Sequence, residues 1–312
     1  MTEKTRVLVT GGAGHIGGAL ALRLADDERY DVTVVDNLQT SSPPKIPVHE
    51  ANPIHFIQGD ANDWRDMSTV MQSNRFDFVF HYAATVGVAR TTEHPISVLN
   101  DIEGIKNILS LAKNTGVRRV FFSSSSEVYG EPFEIPQNEE TTPLNSRLPY
   151  AIVKNVGEAF LRSFQREYGL DYTILRFFNT YGPRQSDDFV ITRFMRAAAR
   201  GDDLTIHGEG RQTRTFCHVD DNVDTVVKCL EEDLALNDVI NIGSDRELTI
   251  LELANVVRDV TGSRSDIRHL PALKEGDMNR RRPDNTRMLE ILQRPLVPLK
   301  EGLRAIAPVV TA

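Results

Sequence analysis

The first half of the chain alternates short apolar runs with segments of helical periodicity. The runs RVLVT, VTVVD, IHFIQ, FDFVFHYAA, RRVFFSS and YTILRF are rich in β-branched and aromatic residues, as expected of strands. Between them, apolar residues recur at helical spacing over 16–28, 96–114 and 150–168, and Gly169 follows the last of these segments. Because the runs are almost continuously apolar, they predict a parallel sheet covered by helices on both faces. The pattern therefore predicts a doubly wound α/β fold.

The second half is less regular and predicts a smaller C-terminal α/β domain. Helical periodicity covers 189–200, which ends at Gly201, and returns over 223–233 and 249–261, where Thr249 can cap the helix. Other segments predict a strand, a glycine turn and a strand over 204–221, a short strand over 238–244, and a basic tail ending in proline-interrupted loops. We place a domain boundary after residue 178, giving domains 1–178 and 179–312, although later strands could return to the first sheet.

Composition and charge narrow the classes of partner. The 312 residues are 40% hydrophobic and 26% charged, with a formal net charge of -8, which argues against nucleic acid or an anionic membrane as the main partner. No apolar stretch approaches the roughly 20 residues of a membrane-spanning helix, and the N-terminus shows no signal-peptide pattern. The two cysteines, Cys217 and Cys229, form no metal-binding pattern. We therefore expect a cytoplasmic protein without a metal site or a membrane partner.

The segment VLVTGGAGHIGGAL carries the first candidate site. Gly11, Gly14 and Gly17 follow a predicted strand and open a predicted helix, in the order that a tight turn, a bound pyrophosphate and close helix packing require. The second strand ends in Asp36 and Asn37, about 20 residues further on, where a carboxylate can bind a ribose 2′-hydroxyl and repel a 2′-phosphate. This Rossmann-type pattern predicts NAD rather than NADP as the cofactor.

Two further strand ends support the same cofactor site. Asp60 and Ala61 follow the third strand, close to where an adenine would lie, and the small residues Ala83 and Ala84 follow the fourth. Since the carboxyl ends of parallel strands meet at one edge of the sheet, four strand ends agree on one site. A purely structural glycine turn is the alternative interpretation.

Tyr150 and Lys154 are candidates for catalysis. They stand four positions apart on one predicted helix, so both side chains share a face. A tyrosine with a pKa near 10 is a poor base at neutral pH, but a neighbouring ammonium and a positive nicotinamide ring would lower that pKa. An ordinary surface pair is the alternative. The nucleotide-binding pattern and the serine run 123–126 after the preceding strand favour the catalytic interpretation.

Several segments together resemble the extended short-chain dehydrogenase/reductase family. They are TGGAGHIG, HYAA, SSSSEVYG, YAIVK, LRFFNTYGPR, GEGRQTRTFCHVDD and PLKEGL. Within that family they are similar to the NAD-dependent nucleotide-sugar epimerase/dehydratase group, of the UDP-glucose 4-epimerase type, over about 6–302. The resemblance implies NAD bound by 1–178, a nucleotide-diphosphate sugar bound by 179–312 with a UDP-sugar favoured, and a homodimer formed through the helices 96–114 and 150–168.

The resemblance also implies roles at the reacting carbon. Tyr150 would take the proton of the sugar 4-hydroxyl while hydride leaves C4 for NAD. Lys154 would hold the ribose hydroxyls of the cofactor and tune Tyr150, and Ser125 would hydrogen-bond the same sugar oxygen. The serine run would then be a strand end that lines the active site rather than a linker.

Other matching positions are expected to hold the nucleotide sugar. Asn179 and Arg214 would contact the diphosphate, together with an arginine of the run 280–282, within which Arg281 is our choice. His207 stands where similar enzymes often place an aromatic ring against the nucleobase. A solvated basic turn is the alternative interpretation of the arginine run.

The step after C4 oxidation is open among three reactions, and Glu127 is the residue that discriminates between them. Simple epimerases often carry a neutral residue there, whereas dehydratases and decarboxylases resemble EVYG more closely. Ser126 departs from the Asp-Glu pair of many hexose dehydratases, although some dehydratases carry Ser-Glu. The tryptophan-glycine segment of most decarboxylases is absent, although RRRPD resembles their end. We expect a 4-epimerase, with a 4,6-dehydratase using Glu127 or a UDP-glucuronate-type decarboxylase as alternatives. A non-catalytic NAD sensor is disfavoured because Tyr150 and Lys154 are both present.

Overall fold

The computed structural model describes residues 3–39, 45–87, 91, 93–271 and 280–311. Its strands in chain order are β1 (Thr5–Thr10), β2 (Tyr30–Asp36), β3 (His55–Gln58), β4 (Phe78–His81), β5 (Arg119–Ser125), β6 (Asp171–Phe177), β7 (Thr180–Tyr181), β8 (Leu204–His207), β9 (Thr213–Thr215), β10 (Cys217–His218), β11 (Asp238–Ile242), β12 (Glu247–Thr249) and β13 (Ile267–Leu270). A 3-10 helix, Ser126–Tyr129, directly follows β5.

The α-helices begin with α1 (His15–Ala25), α2 (Trp64–Asn74), α3 (Pro95–Leu99), α4 (Asp101–Thr115) and α5 (Pro149–Tyr168). They continue with α6 (Val190–Arg200), α7 (Val219–Glu231), α8 (Ile250–Thr261), α9 (Thr286–Leu292) and α10 (Leu299–Val310). Within the ranges that the structure describes, no helix combines the length and apolarity needed to cross a membrane.

Seven strands form one parallel sheet in the order β11-β6-β5-β4-β1-β2-β3. Successive residues of its central strands point to opposite faces, and both faces are buried. On β1, Val7 and Val9 pack into the core shared with α1 and α7, whereas Leu8 packs into the core shared with α2, α4 and α5. Burial on both faces explains the continuous apolar runs, and the predicted doubly wound α/β fold is confirmed.

The strand β11 lies beyond the expected boundary at residue 178 and joins this sheet beside β6. The remaining strands form small two-stranded sheets around a third core, to which α6, α8 and α10 contribute. The two strands predicted within 204–221 are present as β8 and β9, but they do not pair with each other. Instead β8 pairs with β13 in parallel, and β9 pairs with β12 antiparallel.

The predicted ends of three helices are confirmed. Gly169 and Gly201 follow α5 and α6 with φ of 70° and 75°, and Thr249 forms a capping box with Glu252 at the start of α8. The predicted helix 96–114 is two helices, α3 and α4, which meet at Asn100.

Three helices contradict or extend the prediction. The sequence pattern gave no helix over α2, where only Met67, Val70 and Met71 are buried, and the loops expected for the tail are in fact α9 and α10. These short helices form because tertiary packing buries a narrow apolar stripe, such as Leu303, Ile306 and Val310 on α10.

Candidate active site

A cavity of about 580 Å³ opens at the carboxyl edge of the large sheet. Most of the predicted site residues line it, namely Gly11, Gly14, Gly17, Asp36, Asn37, Asp60, Ala61, Ala83, Ala84, Ser125, Glu127, Tyr150, Lys154, Asn179 and Arg281. His207 and Arg214 are outside this lining. The sheet therefore brings together residues that are more than 250 positions apart in the chain, from Gly11 to Arg281.

The glycine turn after β1 leaves no room for larger residues. Gly11 has a φ of 69°, and a Cβ atom added there would lie 2.6 Å from the backbone nitrogen of Ala83. A Cβ atom at Gly17 would lie 2.5 Å from the carbonyl oxygen of Gly11. The helix α1 begins at this turn without a side-chain cap at Gly14, so its N-terminus is open to an anion. This close-packed cradle fits a dinucleotide pyrophosphate.

The acidic residues at the ends of β2 and β3 are held by neighbouring groups. The Asp36 carboxylate accepts the backbone N–H of Ala13 at 3.0 Å and of Leu38 at 2.8 Å. The side-chain amide of Asn37 donates to the Asp60 carboxylate at 3.1 Å. The hydrogen bond between Asn37 and Asp60 therefore joins the ends of β2 and β3 in the wall of the cavity.

The serine run and α5 place three predicted catalytic groups together. The Lys154 ammonium lies 5.6 Å from the centroid of the Tyr150 ring and donates to the Ser123 hydroxyl at 3.3 Å. Ser125 hydrogen-bonds the Tyr150 side chain. Burial lowers the pKa of Lys154 to about 8, and the charge of Asp101 opposes that shift.

The pKa of Tyr150 depends mainly on its burial. Burial raises this pKa above its usual value, and the Glu127 carboxylate adds to the increase. The Ser125 hydrogen bond acts in the opposite direction. Among the described protein groups, the Ser125 hydrogen bond and the Arg281 charge therefore favour the phenolate. The lowering expected from the Lys154 ammonium together with a nicotinamide ring stays a prediction.

Glu127 and Arg281 form an ion pair in the cavity wall. The Arg281 Nη1 lies 2.9 Å from Glu127 Oε1, and Glu127 Oε2 is buried with no hydrogen-bond partner among the described residues. The neighbouring Arg280 instead pairs with Glu247 at 2.5 Å, and the phosphate contact expected of this basic run stays a prediction. The charge of Glu127 is therefore balanced by a residue from the C-terminal part of the chain.

Of the residues predicted to bind the nucleotide sugar, Asn179 lines the cavity, whereas His207 and Arg214 do not. The Asn179 side-chain nitrogen is buried without a hydrogen-bond partner in the described part of the chain. Such a donor can bind an anion such as a diphosphate. His207 Nδ1 lies 3.1 Å from the Pro271 carbonyl oxygen, and Arg214 donates to the Thr213 carbonyl at 2.7 Å. The contacts predicted for His207 and Arg214 stay predictions.

The sequence reasoning missed a buried network behind the serine run. Arg176 on β6 pairs with Glu158 on α5 through contacts of 2.7 and 2.9 Å. Ser124 donates to the same carboxylate at 2.7 Å, and Arg176 donates at 2.9 Å to the Tyr129 hydroxyl, which donates to Asn241 at 2.7 Å. A charged residue within an otherwise apolar strand was the available signal.

Comparisons with known proteins agree with this site. The sequence model of the NAD dependent epimerase/dehydratase family matches residues 7–243. The chain is 37% identical over 318 residues to a UDP-N-acetyl-alpha-D-glucosaminuronate decarboxylase of Bacillus cytotoxicus, covering 96% of each chain. A UDP-glucose 4-epimerase of Thermotoga maritima, solved with UDP-glucose, has a TM-score of 0.90 at 33% identity and 98% coverage of both chains. A dTDP-glucose 4,6-dehydratase of Streptomyces venezuelae, solved with NAD, has a TM-score of 0.88 at 29% identity, covering 98% of this chain and 96% of that one.

Proposed function

Because the chain belongs to the NAD-dependent epimerase/dehydratase family, we propose that it decarboxylates a nucleotide-diphosphate uronate after transient oxidation at C4. The observation that carries this proposal is the Glu127–Arg281 ion pair in the cavity that also holds Tyr150. The decarboxylase of Bacillus cytotoxicus supports it, since the similarity extends over 96% of both chains. A UDP-uronate is the favoured substrate.

The residues of the cavity supply the first step. Gly11, Gly14 and Gly17 would accommodate the pyrophosphate of NAD, which when bound would supply the acceptor for the C4 hydride and its donor in the final reduction. Tyr150 takes the proton of the 4-hydroxyl, and the Ser125 hydroxyl, next to the phenol, hydrogen-bonds the same oxygen.

The Glu127–Arg281 ion pair supplies a cation for the substrate carboxylate and an acid for C5 in the decarboxylation step. Once C4 is a ketone, a uronate is a β-keto acid: the bond between C5 and the carboxylate carbon breaks, carbon dioxide leaves, and the electron pair forms an enolate between C4 and C5. Before this step, Arg281 releases the Glu127 carboxylate and binds the substrate carboxylate in its place. Glu127, released from Arg281, then takes a proton from solvent and delivers it to C5, where the electron pair of the enolate forms the new C–H bond and C4 becomes a ketone again.

The other reactions fit the site less well. A 4,6-dehydratase must expel the C6 hydroxyl with an acid, and Ser126 departs from the Asp-Glu pair that many hexose dehydratases carry at this point of the chain. The 4-epimerase expected from the sequence needs neither charge of the Glu127–Arg281 ion pair. It is the second candidate, and the absence of a tryptophan-glycine segment before Tyr150 and the likeness to the Thermotoga maritima enzyme favour it.

Arg281→Gln tests the carboxylate role directly. We expect kcat/KM for a UDP-uronate to fall about 100-fold, corresponding to roughly 3 kcal/mol for a lost charge-assisted contact. Arg280→Gln is the matched control because Arg280 pairs with Glu247 at 2.5 Å instead, and it should change kcat/KM less than about twofold. Undiminished decarboxylation by Arg281→Gln would contradict this assignment, whereas conversion of neutral UDP-sugars by both variants would support the epimerase.

We further propose a homodimer formed through α3, α4 and α5, where large apolar side chains such as Ile96 and Ile152 are exposed. Ile96 is 75% exposed on α3, so Ile96→Glu should raise the dimer dissociation constant at least about 100-fold by placing a charge in the interface. Val309→Glu on α10 is the control, since Val309 is 61% exposed away from these helices. Sedimentation analysis would show a dimer for the wild type and the control; an identical mass for Ile96→Glu would exclude this face.

A further inference from the structure

Asp101 is a buried carboxylate in the cavity wall, at the first position of α4. Its Oδ2 accepts the backbone N–H of Thr85 at 2.6 Å, and its Oδ1 accepts from the Asn62 side-chain amide at 3.1 Å and from the Thr85 hydroxyl at 3.3 Å. Thr85 and Asn62 belong to the loops that follow β4 and β3 and also line the cavity. One carboxylate therefore ties both cofactor-lining loops to α4.

Asn62 extends the same attachment along α4. Its side-chain oxygen accepts the Gly104 N–H at 3.0 Å, and a Cβ atom at Gly104 would lie 2.5 Å from that oxygen. The Asn107 amide donates to the carbonyl oxygens of Ala61 and Asn62, both at 3.1 Å. The first two turns of α4 are thus built to hold the loop that carries Asp60 and Ala61.

The charge of Asp101 acts on Lys154. Burial lowers the pKa of Lys154, and Asp101 raises it. The side chains of β5 that Lys154 meets, Ser123 and Phe122, are uncharged. On β4, His81 is buried and its pKa is lowered to about 3, first by burial and then by Lys154, so it is neutral near pH 7 and supplies no opposite charge.

The pKa of Tyr150 on α5 depends on three charged side chains of the cavity, Glu127, Asp101 and Arg281. Burial raises its pKa most, the carboxylates of Glu127 and Asp101 raise it further, and Ser125 and Arg281 lower it. Glu127 is already paired with Arg281 at 2.9 Å. Among the described groups, Asp101 is therefore the carboxylate whose charge favours the protonated form of Lys154, and both side chains line the same cavity.

We propose that Asp101 is a positioning residue of the active site, whose carboxylate fixes the two cofactor-lining loops against α4 and balances the buried Lys154 ammonium. The role applies to any reaction that begins with oxidation at C4, so it does not depend on decarboxylation. A residue that merely begins a helix would affect stability without changing the protonation of Lys154.

Asp101→Asn tests this role by removing the charge at nearly constant size. We expect the titration midpoint of Lys154, followed by NMR of isotope-labelled lysines and assigned with Lys154→Met, to fall by about one pH unit. The basic limb of the kcat profile should move to lower pH by the same amount, because the ammonium is lost earlier as pH rises. The dissociation constant of NAD should rise roughly tenfold through loss of the loop contacts.

Glu103→Gln is the matched control, since Glu103 is an exposed acid on the same helix that pairs with Lys106 at 3.0 Å. A folded Asp101→Asn variant that titrates Lys154 at the wild-type pH would overturn the proposal, as would an equal shift in Glu103→Gln. If the new amide clashes with Asn62 and prevents folding, Asp101→Ser removes the charge without a second amide. The lysine titration needs no substrate, so its failure is separate from failure of the proposed reaction.

Discussion

Tyr150→Phe should lose at least about 1,000-fold in kcat on every nucleotide sugar that the wild type converts, because proton removal from the 4-hydroxyl then has no base. The fold should persist, since the variant removes one oxygen and Ser125 loses a single hydrogen bond. NAD affinity should change little. Steady-state kinetics, with circular dichroism and NAD titration on the same samples, would measure all three.

Tyr172→Phe is the matched control for this variant. Tyr172 lies on β6, is buried in the core shared with α5, and does not line the cavity. We expect near wild-type kcat from it. Retention of more than a tenth of wild-type kcat by Tyr150→Phe would contradict its role as the base, whatever the reaction that follows.

Glu158→Gln should destabilise the protein by about 3–5 kcal/mol, because it leaves the buried Arg176 guanidinium without its carboxylate. Both residues of the pair are only 2% exposed, so water cannot replace the lost partner. The free energy of unfolding from denaturant titration is the measurement. Since Ser124 loses the same carboxylate contact, kcat should fall as well.

Glu167→Gln on the exposed side of α5 is the control for helix composition and should change the free energy of unfolding by less than about 0.5 kcal/mol. A loss below about 1 kcal/mol in Glu158→Gln would show that the ion pair contributes little against an uncharged substitute. The same outcome would remove the reason to regard this network as the support of the serine run.

Features that depend on local sequence could be predicted. The glycine turn follows from Gly11, Gly14 and Gly17 because a close approach of backbone and helix admits no larger residue. Tyr150 and Lys154 could be paired because helical spacing alone places them on one face. The apolar runs of the first half predicted six of the seven strands of the large sheet, and the short strand predicted over 238–244 is the seventh, since burial on both faces leaves a simple pattern.

Features that depend on contacts between distant segments could not be predicted. Nothing in the local pattern joins Glu127 to Arg281, which lie 154 positions apart. The role of Asp101 depends on loops 16 and 39 positions away. An acid in the first turn of a helix is also common because it interacts favourably with the helix dipole. The sequence alone therefore could not distinguish such an acid from a positioning residue of the active site.

The most direct test of the proposed reaction is the mass of the product. Purified protein with NAD would be incubated separately with UDP-glucuronate, UDP-N-acetylglucosaminuronate, UDP-glucose and dTDP-glucose, and each product would be analysed by mass spectrometry. We predict that a UDP-uronate loses the mass of carbon dioxide and that the neutral sugars keep their mass and configuration. A product of unchanged mass with a new NMR spectrum, or loss of water from a neutral sugar, with the uronates left intact, would contradict decarboxylation.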